Sequence, residues 1–309
     1  MSDDVPFERE MHAKAGEVVQ VSPLVRRVLA GNAGPFTYTG TCSYVVGRGE
    51  VAIIDPGPDD PAHLRALLAA VAGERVGAIA VTHTHRDHSP GARALQAATG
   101  APIVGCGPHR AARPLGEGEV PALDASADRE HAPDRTLGAG ERVAGPGWTL
   151  EALPTPGHTA NHLAFVLPEE NALFSGDHVM AWSTSIVAPP DGRMADYMAS
   201  LAKLLDRDEQ RYWPGHGGPV NQPARFVRAL LQHRRAREGA ILERLAAGDR
   251  FIRDIVPRLY AGLSPALHGA AGLSVYAHLE DLVERGLART EGQPALGGEY
   301  RPAGSLRGA

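Results

Sequence analysis

The stretch AIAVTHTHRDHSPGA, residues 78–92, decides how this chain is read. A short apolar run ends, and His83, His85, Asp87 and His88 follow within six residues. At a strand end, residues i and i+2 point to the same side, so the imidazoles of His83 and His85 can converge on one ion. Asp87 and His88 lie past the strand, where the chain turns towards a helix and can aim at a second position beside the first. Imidazole nitrogen with carboxylate oxygen is a donor set that Zn2+ accepts, with Fe or Mn as other candidates.

Four ligands do not complete two sites, and three further places stand out. They are His158 in TPGHT, Asp177 in FSGDH and His216 in WPGHG, each at the end of a predicted strand beside a glycine that permits close backbone approach. His178 reads as a simple neighbour of Asp177. Asp55, before Pro56-Gly57, is either a partner of a ligand histidine or an Asx-turn residue. His109 and His131 read as surface histidines.

The surrounding pattern supplies the frame. CSYVVGRGEVAIID (42–55) reads as a hairpin, DPAHLRALLAAVAG (60–73) as a helix, GAIAVT (77–82) as a buried strand and APIVGC as another. A helix opens at Ser89-Pro90 and runs to about Gly100. Residues 107–140 are rich in proline, glycine and charge, and read as a long surface insertion that can face substrate. Strands return at WTLEALPT (148–155), NHLAFVLP (161–168), NALFSG (171–176) and RYWPGHG (211–217), with a helix at ADYMASLAKLLDRD (195–208). Two runs of strands, each followed by helices, predict an α+β chain built as a four-layer αββα sandwich. After Pro223 three helices and a turn-rich tail have the order of a winged helix, so residues 1–222 and 223–309 are expected to form separate domains.

Composition narrows the function classes. The 309 residues carry a net charge of −5, with 43% hydrophobic and 22% charged residues. That describes a globular chain with no strong overall pull on nucleic acid or anionic membrane. Residues 223–309 are an exception, with 13 Arg, no Lys and 9 acidic groups, net +4. The N-terminal segment lacks an apolar leader and no run has transmembrane length, so a cytoplasmic location, no membrane partner and reduced Cys42 and Cys106 are expected.

THTHRDH with downstream PGHT, SGDH and PGHG resembles the metallo-β-lactamase superfamily over roughly residues 40–220. Within it, the chain is similar to the β-lactamase-like protein 2 family. The likeness is carried by NAGPFTYTGTCSYVVG (32–47), THTHRDHSPG, LFSGDHVM with DYMASL, and the C-terminal HRRAREGAILERL with LSPALHGAAGLSVYAHLEDLVERG. Three features depart from that pattern. Cys42 stands where the family tends to have Asn, His178 replaces a small or apolar residue, and the 107–140 insertion has no counterpart.

The resemblance implies a lactamase sandwich with an appended winged helix, holding two Zn2+ ions. His83, His85 and His158 would hold one metal, Asp87, His88 and His216 the second, and Asp177 would bridge them. Such a pair supplies a bridging hydroxide nucleophile at neutral pH. Asp87 and Asp177 would be the catalytic carboxylates, Asp177 fixing the spacing and Asp87 orienting the nucleophile and passing a proton to the leaving group. His85 stands where oxygen-reducing di-iron relatives have a carboxylate, which favours hydrolysis.

Three functions stay open. The leading one is cleavage of single-stranded RNA, as the animal member's likeness to zinc-using endoribonucleases implies, with arginines of 225–258 steering phosphates. Another is hydrolysis of a small-molecule ester or thioester, as in glyoxalase II. The third is a nucleic-acid-binding regulator with a ligand-sensing lactamase domain. The winged helix can instead pack on the catalytic domain or mediate a homodimer. Tyr38, Trp182 and Trp213 are candidates to line the cleft, with core packing as the simpler role for each.

Overall fold

The computed structural model describes residues 5–116, 119 and 126–304. The first half comprises β1 (Val18–Gln20), β2 (Val25–Leu29), β3 (Cys42–Arg48), β4 (Glu50–Ile54), α1 (Pro61–Ala70), β5 (Arg75–Val81), α2 (Gly91–Thr99), β6 (Ile103–Gly105) and β7 (Arg135–Thr136). Among the described residues these strands form one sheet in chain order. β1 to β4 pair antiparallel and β4 to β7 parallel. The switch follows from the sequence, because parallel neighbours need a crossover: α1 and α2 supply it up to β6, and the long segment before β7 supplies the last one. Asp60 caps α1, accepting from the Ala62 N–H at 2.8 Å, and Pro61 fills the first turn, where no N–H is needed.

The second half adds β8 (Arg142–Gly145), β9 (Trp148–Pro154), β10 (Leu163–Leu167), β11 (Ala172–Gly176), α3 (Met194–Leu205) and β12 (Arg211–Pro214). Its strands lie in the order β12-β11-β10-β9-β8. Strand alternation sorts their side chains into two cores. Leu163, Phe165, Leu167, Phe174 and Trp213 join Tyr44, Val46 and Ile54 between the sheets. Ala164, Val166, Leu173 and Tyr212 face the other way, against Tyr197, Leu201 and Leu204 of α3. Leu67 of α1 and Leu95 of α2 pack with the first sheet. The result is the four-layer αββα sandwich expected, of α+β class. β1 and β8 have no strong signal in the sequence because they are short edge strands whose residues lie partly or largely in solvent.

The chain continues through α4 (Pro223–Ala246), α5 (Ile252–Leu259), α6 (His268–Glu284) and an antiparallel pair, β13 (Ala288–Thr290) with β14 (Tyr300–Pro302). This is a winged helix, with the strand pair as its wing. The expected boundary at 222 falls at the start of α4, and α4 serves both sides of it. Phe226, Val227, Leu230 and Leu231 pack with α3, whereas Ile241 and Leu245 share a core with α5, α6 and Tyr300 of the wing.

The 107–140 insertion departs from a surface loop where it is described; its residues 117, 118 and 120–125 lie outside the described residues. Ala127 bridges His85, Arg86 N–H donates to the Ser126 carbonyl at 2.8 Å, and Asp128 N–H donates to the Thr84 carbonyl at 2.7 Å. The insertion thus runs alongside the histidine-rich turn. At its other end Arg113 meets Glu280 and Tyr276 of α6.

Candidate metal centre

Strands deliver the seven candidate ligands to one edge of the sandwich. β5 leads into His83, His85, Asp87 and His88; β9 leads to His158, β11 to Asp177 and β12 to His216. The donor atoms of His83, His85 and His158 lie within 4.8 Å of one another, as do those of Asp87, His88 and His216. Asp177 stands between the two groups. Its Oδ1 is 3.5 Å from His88 Nε2, and its Oδ2 is 3.4 Å from His216 Nε2 and 3.6 Å from His158 Nε2.

Hydrogen bonds fix how four of the imidazoles face. Thr82 Oγ1 donates to Asp55 Oδ2 at 2.7 Å, so it accepts from His83 Nδ1–H at 2.9 Å. His88 Nδ1–H donates to Asp55 Oδ2 at 2.9 Å, His158 Nδ1–H to the Ile186 carbonyl at 2.6 Å, and His216 Nδ1–H to the Gly40 carbonyl at 3.2 Å. Each ring is anchored through Nδ1 and turns Nε2 inward, the usual arrangement for histidines that carry a metal. His85 places Nδ1 2.9 Å from His158 Nε2.

A divalent cation suits this donor set. His83 Nε2, His85 Nε2 and Asp177 Oδ1 are buried and make no hydrogen bond, a costly state that coordination would relieve. The electrostatics divide the centre in two. Burial holds His83 and His158 neutral and takes His85 down to about 3, so one side presents uncharged nitrogen lone pairs. On the other side burial opposes charge on His88 and His216, but the neighbouring carboxylates outweigh it. Asp87 and Asp177 raise His88 well above its ordinary value and His216 to about 9. The two aspartates are in turn held well below the carboxylate range, their desolvation overcome by those histidines. Protons on His88 and His216 therefore stand where a cation would otherwise balance the carboxylates.

Asp55 also lies within ligand distance of His83 and His88. Its oxygens are already engaged by the Thr82 N–H at 2.8 Å, by the Thr82 hydroxyl and by His88. Of the two readings left open by the sequence, the histidine partner is the one realised. Replacing Asp55 with Asn introduces two N–H donors where only donors point, and His88 loses its anchor. Metal affinity, measured by competition with a chromophoric chelator, is expected to fall roughly 10- to 100-fold. An unchanged affinity would remove Asp55 from this role.

One buried residue beside the centre was not singled out in the sequence. His162 accepts from the Asp177 backbone N–H at 3.2 Å through Nε2 and pairs with Thr155 Oγ1 at 2.8 Å through Nδ1. It fixes the backbone of the aspartate between the two groups. The available signal is a histidine placed just before an otherwise apolar strand, four residues after His158.

His109 and His131 correct the expectation of surface histidines. His109 has a side chain only 4% exposed, sits 3.0 Å from Thr84 Oγ1 and lies 3.5 Å from Asp191 Oδ1. His131 is buried against Cys106, reaching its carbonyl at 3.3 Å. Both are covered because the insertion folds back onto the β5 turn, a tertiary contact with no local signature. His178 packs its buried ring against Tyr197 at 4.6 Å.

The glycine of each PGH motif has a distinct reason. Gly157 adopts φ +140 against the backbone of Tyr197, where a Cβ has no room. A Cβ at Gly215 would lie 2.5 Å from Asp177 Oδ1 and 2.6 Å from His88 Cε1. Gly215→Ala is expected to cost about 1–3 kcal/mol of stability through overpacking and to lower bound metal per chain, read by thermal unfolding and elemental analysis. Wild-type metal content with wild-type stability would refute the packing argument.

Comparison with known proteins places the chain among relatives. The model of the metallo-beta-lactamase superfamily matches residues 37–216, and that of the beta-lactamase associated winged helix domain matches 252–298. A beta-lactamase-like protein 2 homolog of Caenorhabditis elegans is 31% identical over 277 residues, covering 87% of this chain and 88% of that protein. An atrochrysone carboxyl ACP thioesterase of Paecilomyces divaricatus is 33% identical over 247 residues, covering 77% and 68%. The crystal structure of a metallo-beta-lactamase family protein from Thermus thermophilus is 25% identical, with TM-score 0.73, covering 92% of this chain and all of that one.

Proposed function

The chain belongs to the metallo-beta-lactamase superfamily, and from that premise we propose that it is a dinuclear metal hydrolase whose substrate is a small-molecule ester, a thioester foremost. The observation that carries the reading is Asp177, set within 3.6 Å of nitrogens from both histidine groups, as a bridging carboxylate needs to be. The ligand assignment is His83, His85 and His158 on one side and Asp87, His88 and His216 on the other, with Asp177 shared. Two Zn2+ ions are proposed, Fe and Mn being served by the same donors. When bound, a metal pair supplies Lewis acidity and a nucleophile at neutral pH.

The protein's own groups do the rest. Asp177 holds the separation of the two positions and is itself held by His162. Asp87, with a quarter of its side chain accessible and its Oδ2 3.1 Å from His216, is the carboxylate at the open side of the centre. It orients the attacking group and passes a proton to the leaving atom, a modest task for a thiolate and a larger one for an alkoxide. A thioesterase among the relatives supports the choice of a thioester.

A second reading has an observation of its own. Arg225, Arg228 and Arg235 are exposed and, at 100° per residue, share one face of α4. Such a face attracts phosphates, which favours single-stranded RNA as the alternative substrate. Incubating the metal-loaded protein with an acyl-N-acetylcysteamine thioester and, separately, with end-labelled single-stranded RNA divides the two. Turnover of the thioester alone is expected; RNA cleavage alone would reverse the order, and tight duplex binding with no turnover of either would favour a regulator.

The junction between catalytic unit and winged helix is placed at residues 222 and 223, with α4 contributing to both. Among the described residues no helix is long and apolar enough to cross a membrane. A cytoplasmic location is proposed, to which two buried free thiols, Cys42 and Cys106, are suited. A homodimer is part of the same proposal, to be read by sedimentation velocity.

A further inference from the structure

The loop that anchors His216 also presents aromatic surface. Residues 32–41 are closed on themselves by Gly34 N–H to the Tyr38 carbonyl, Gly40 N–H to the Thr37 carbonyl, and paired bonds between the Asn32 amide and Thr41. Within this loop Tyr38 adopts φ +56, a conformation that costs a non-glycine residue energy and persists only where its surroundings hold it. Its ring is thereby laid on Trp182, with centroids 5.0 Å apart and planes 12° from parallel. The Tyr38 hydroxyl donates to the Arg9 carbonyl, and Arg9 Nε donates to the Trp182 carbonyl.

This pair adjoins the metal centre. A Cβ on Gly217, the residue after His216, would come within 2.9 Å of Trp182 Cδ1. Gly40, two residues from Tyr38, takes the His216 Nδ1–H. The segment that carries Trp182 reaches Ile186, whose carbonyl anchors His158. The stacked rings are therefore tied to ligands of both groups. Trp148 and Trp213 are buried in the core, Trp213 beside Tyr44, whereas Tyr38 and Trp182 are only half-buried. Phe36 at the loop tip is 53% exposed.

Two stacked rings that stay partly accessible beside the ligands do not serve core packing alone. We propose that Tyr38 and Trp182 form an aromatic wall beside His216 that binds a planar aromatic acyl group of the substrate. The proposal rests on the ester and thioester reading of the centre. A conjugated aromatic acyl group presents the π-face that stacked or edge-on aromatics recognise, and its carbonyl then lies towards the ligands. Phe36 extends the wall outward.

The test uses the full-length zinc-loaded protein. Affinities for 2-naphthoate and for acetate are measured by calorimetry in wild type, Trp182→Phe and Trp182→Leu. Both acids offer the same carboxylate, so their ratio reports the wall alone. Leucine keeps apolar packing on Gly217 without an aromatic face; phenylalanine keeps the face. The naphthoate preference is expected to fall roughly fivefold in the leucine variant and to be largely retained with phenylalanine. The ratio of kcat/KM for naphthoyl over acetyl N-acetylcysteamine thioesters is expected to move in parallel, chiefly through KM. Equal preference in wild type and the leucine variant overturns the wall, whatever the turnover. Preference lost in the leucine variant without thioester turnover in any variant sustains the wall and refutes the hydrolase reading instead.

Discussion

Replacing Asp177 with alanine is expected to lower turnover by at least about 10²- to 10³-fold, the scale seen when one preorganised charge-stabilising group is removed. The reason lies in its position. Its oxygens lie 3.4–3.6 Å from Nε2 of His216, His88 and His158, on the inward side of both histidine groups, whereas Asp55 meets His88 through the outer Nδ1 and is already engaged by Thr82. Without Asp177 the two positions share no ligand, and metal content per chain should drop along with activity. Asp177→Asn, which keeps volume and loses charge, separates the two contributions: lower metal content with a sound fold points to coordination. Full activity in either variant would exclude a bridging role.

Stripping the protein of metal with a chelator should have the second large effect, and its size should depend on pH. A cation bound at about a thousandfold excess over its dissociation constant stabilises the folded state by about 4 kcal/mol. For a domain of 150–250 residues that corresponds to a melting temperature lower by on the order of 10 °C on stripping. In the metal-free protein His216 is raised from 6.5 to about 9, burial opposing its charge and Asp177 and Asp87 prevailing. A raised folded value means its contribution is complete below pH 6.5 and is lost as pH rises through about 9. Asp87 and Asp177, depressed, contribute above the ordinary carboxylate range and lose that contribution only in strong acid. The stripped protein should thus weaken as pH rises from 6.5 through about 9. In the loaded protein the cation replaces those protons, so the gap in melting temperature should be wider at pH 9 than at pH 6. Differential scanning calorimetry on both forms checks this, and a gap that closes with rising pH would contradict the proton-for-metal exchange.

What the sequence made legible was whatever a strand end announces. His83, His85, His158, Asp177 and His216 each follow an apolar run with alternating or buried texture, so period and termination together placed them at one edge. The partner role of Asp55 was visible only as one of two options, since Asp-Pro-Gly also writes a turn. The anchors of His158 and His216 are backbone carbonyls, at Ile186 and Gly40, and a carbonyl has no sequence signature. The burial of His109 and His131 has no local signature, because covering by a returning loop is a long-range event. The double duty of α4 was hidden for a related reason: a continuous helical pattern does not say that its first half and its last belong to different cores.

The most direct measurement is an anomalous difference map, at the zinc absorption edge, from crystals of the zinc-loaded protein. Two peaks are expected, one enclosed by His83, His85 and His158 and the other by Asp87, His88 and His216, with the Asp177 carboxylate touching both. A single peak, or density away from these side chains, would contradict a dinuclear centre in this protein.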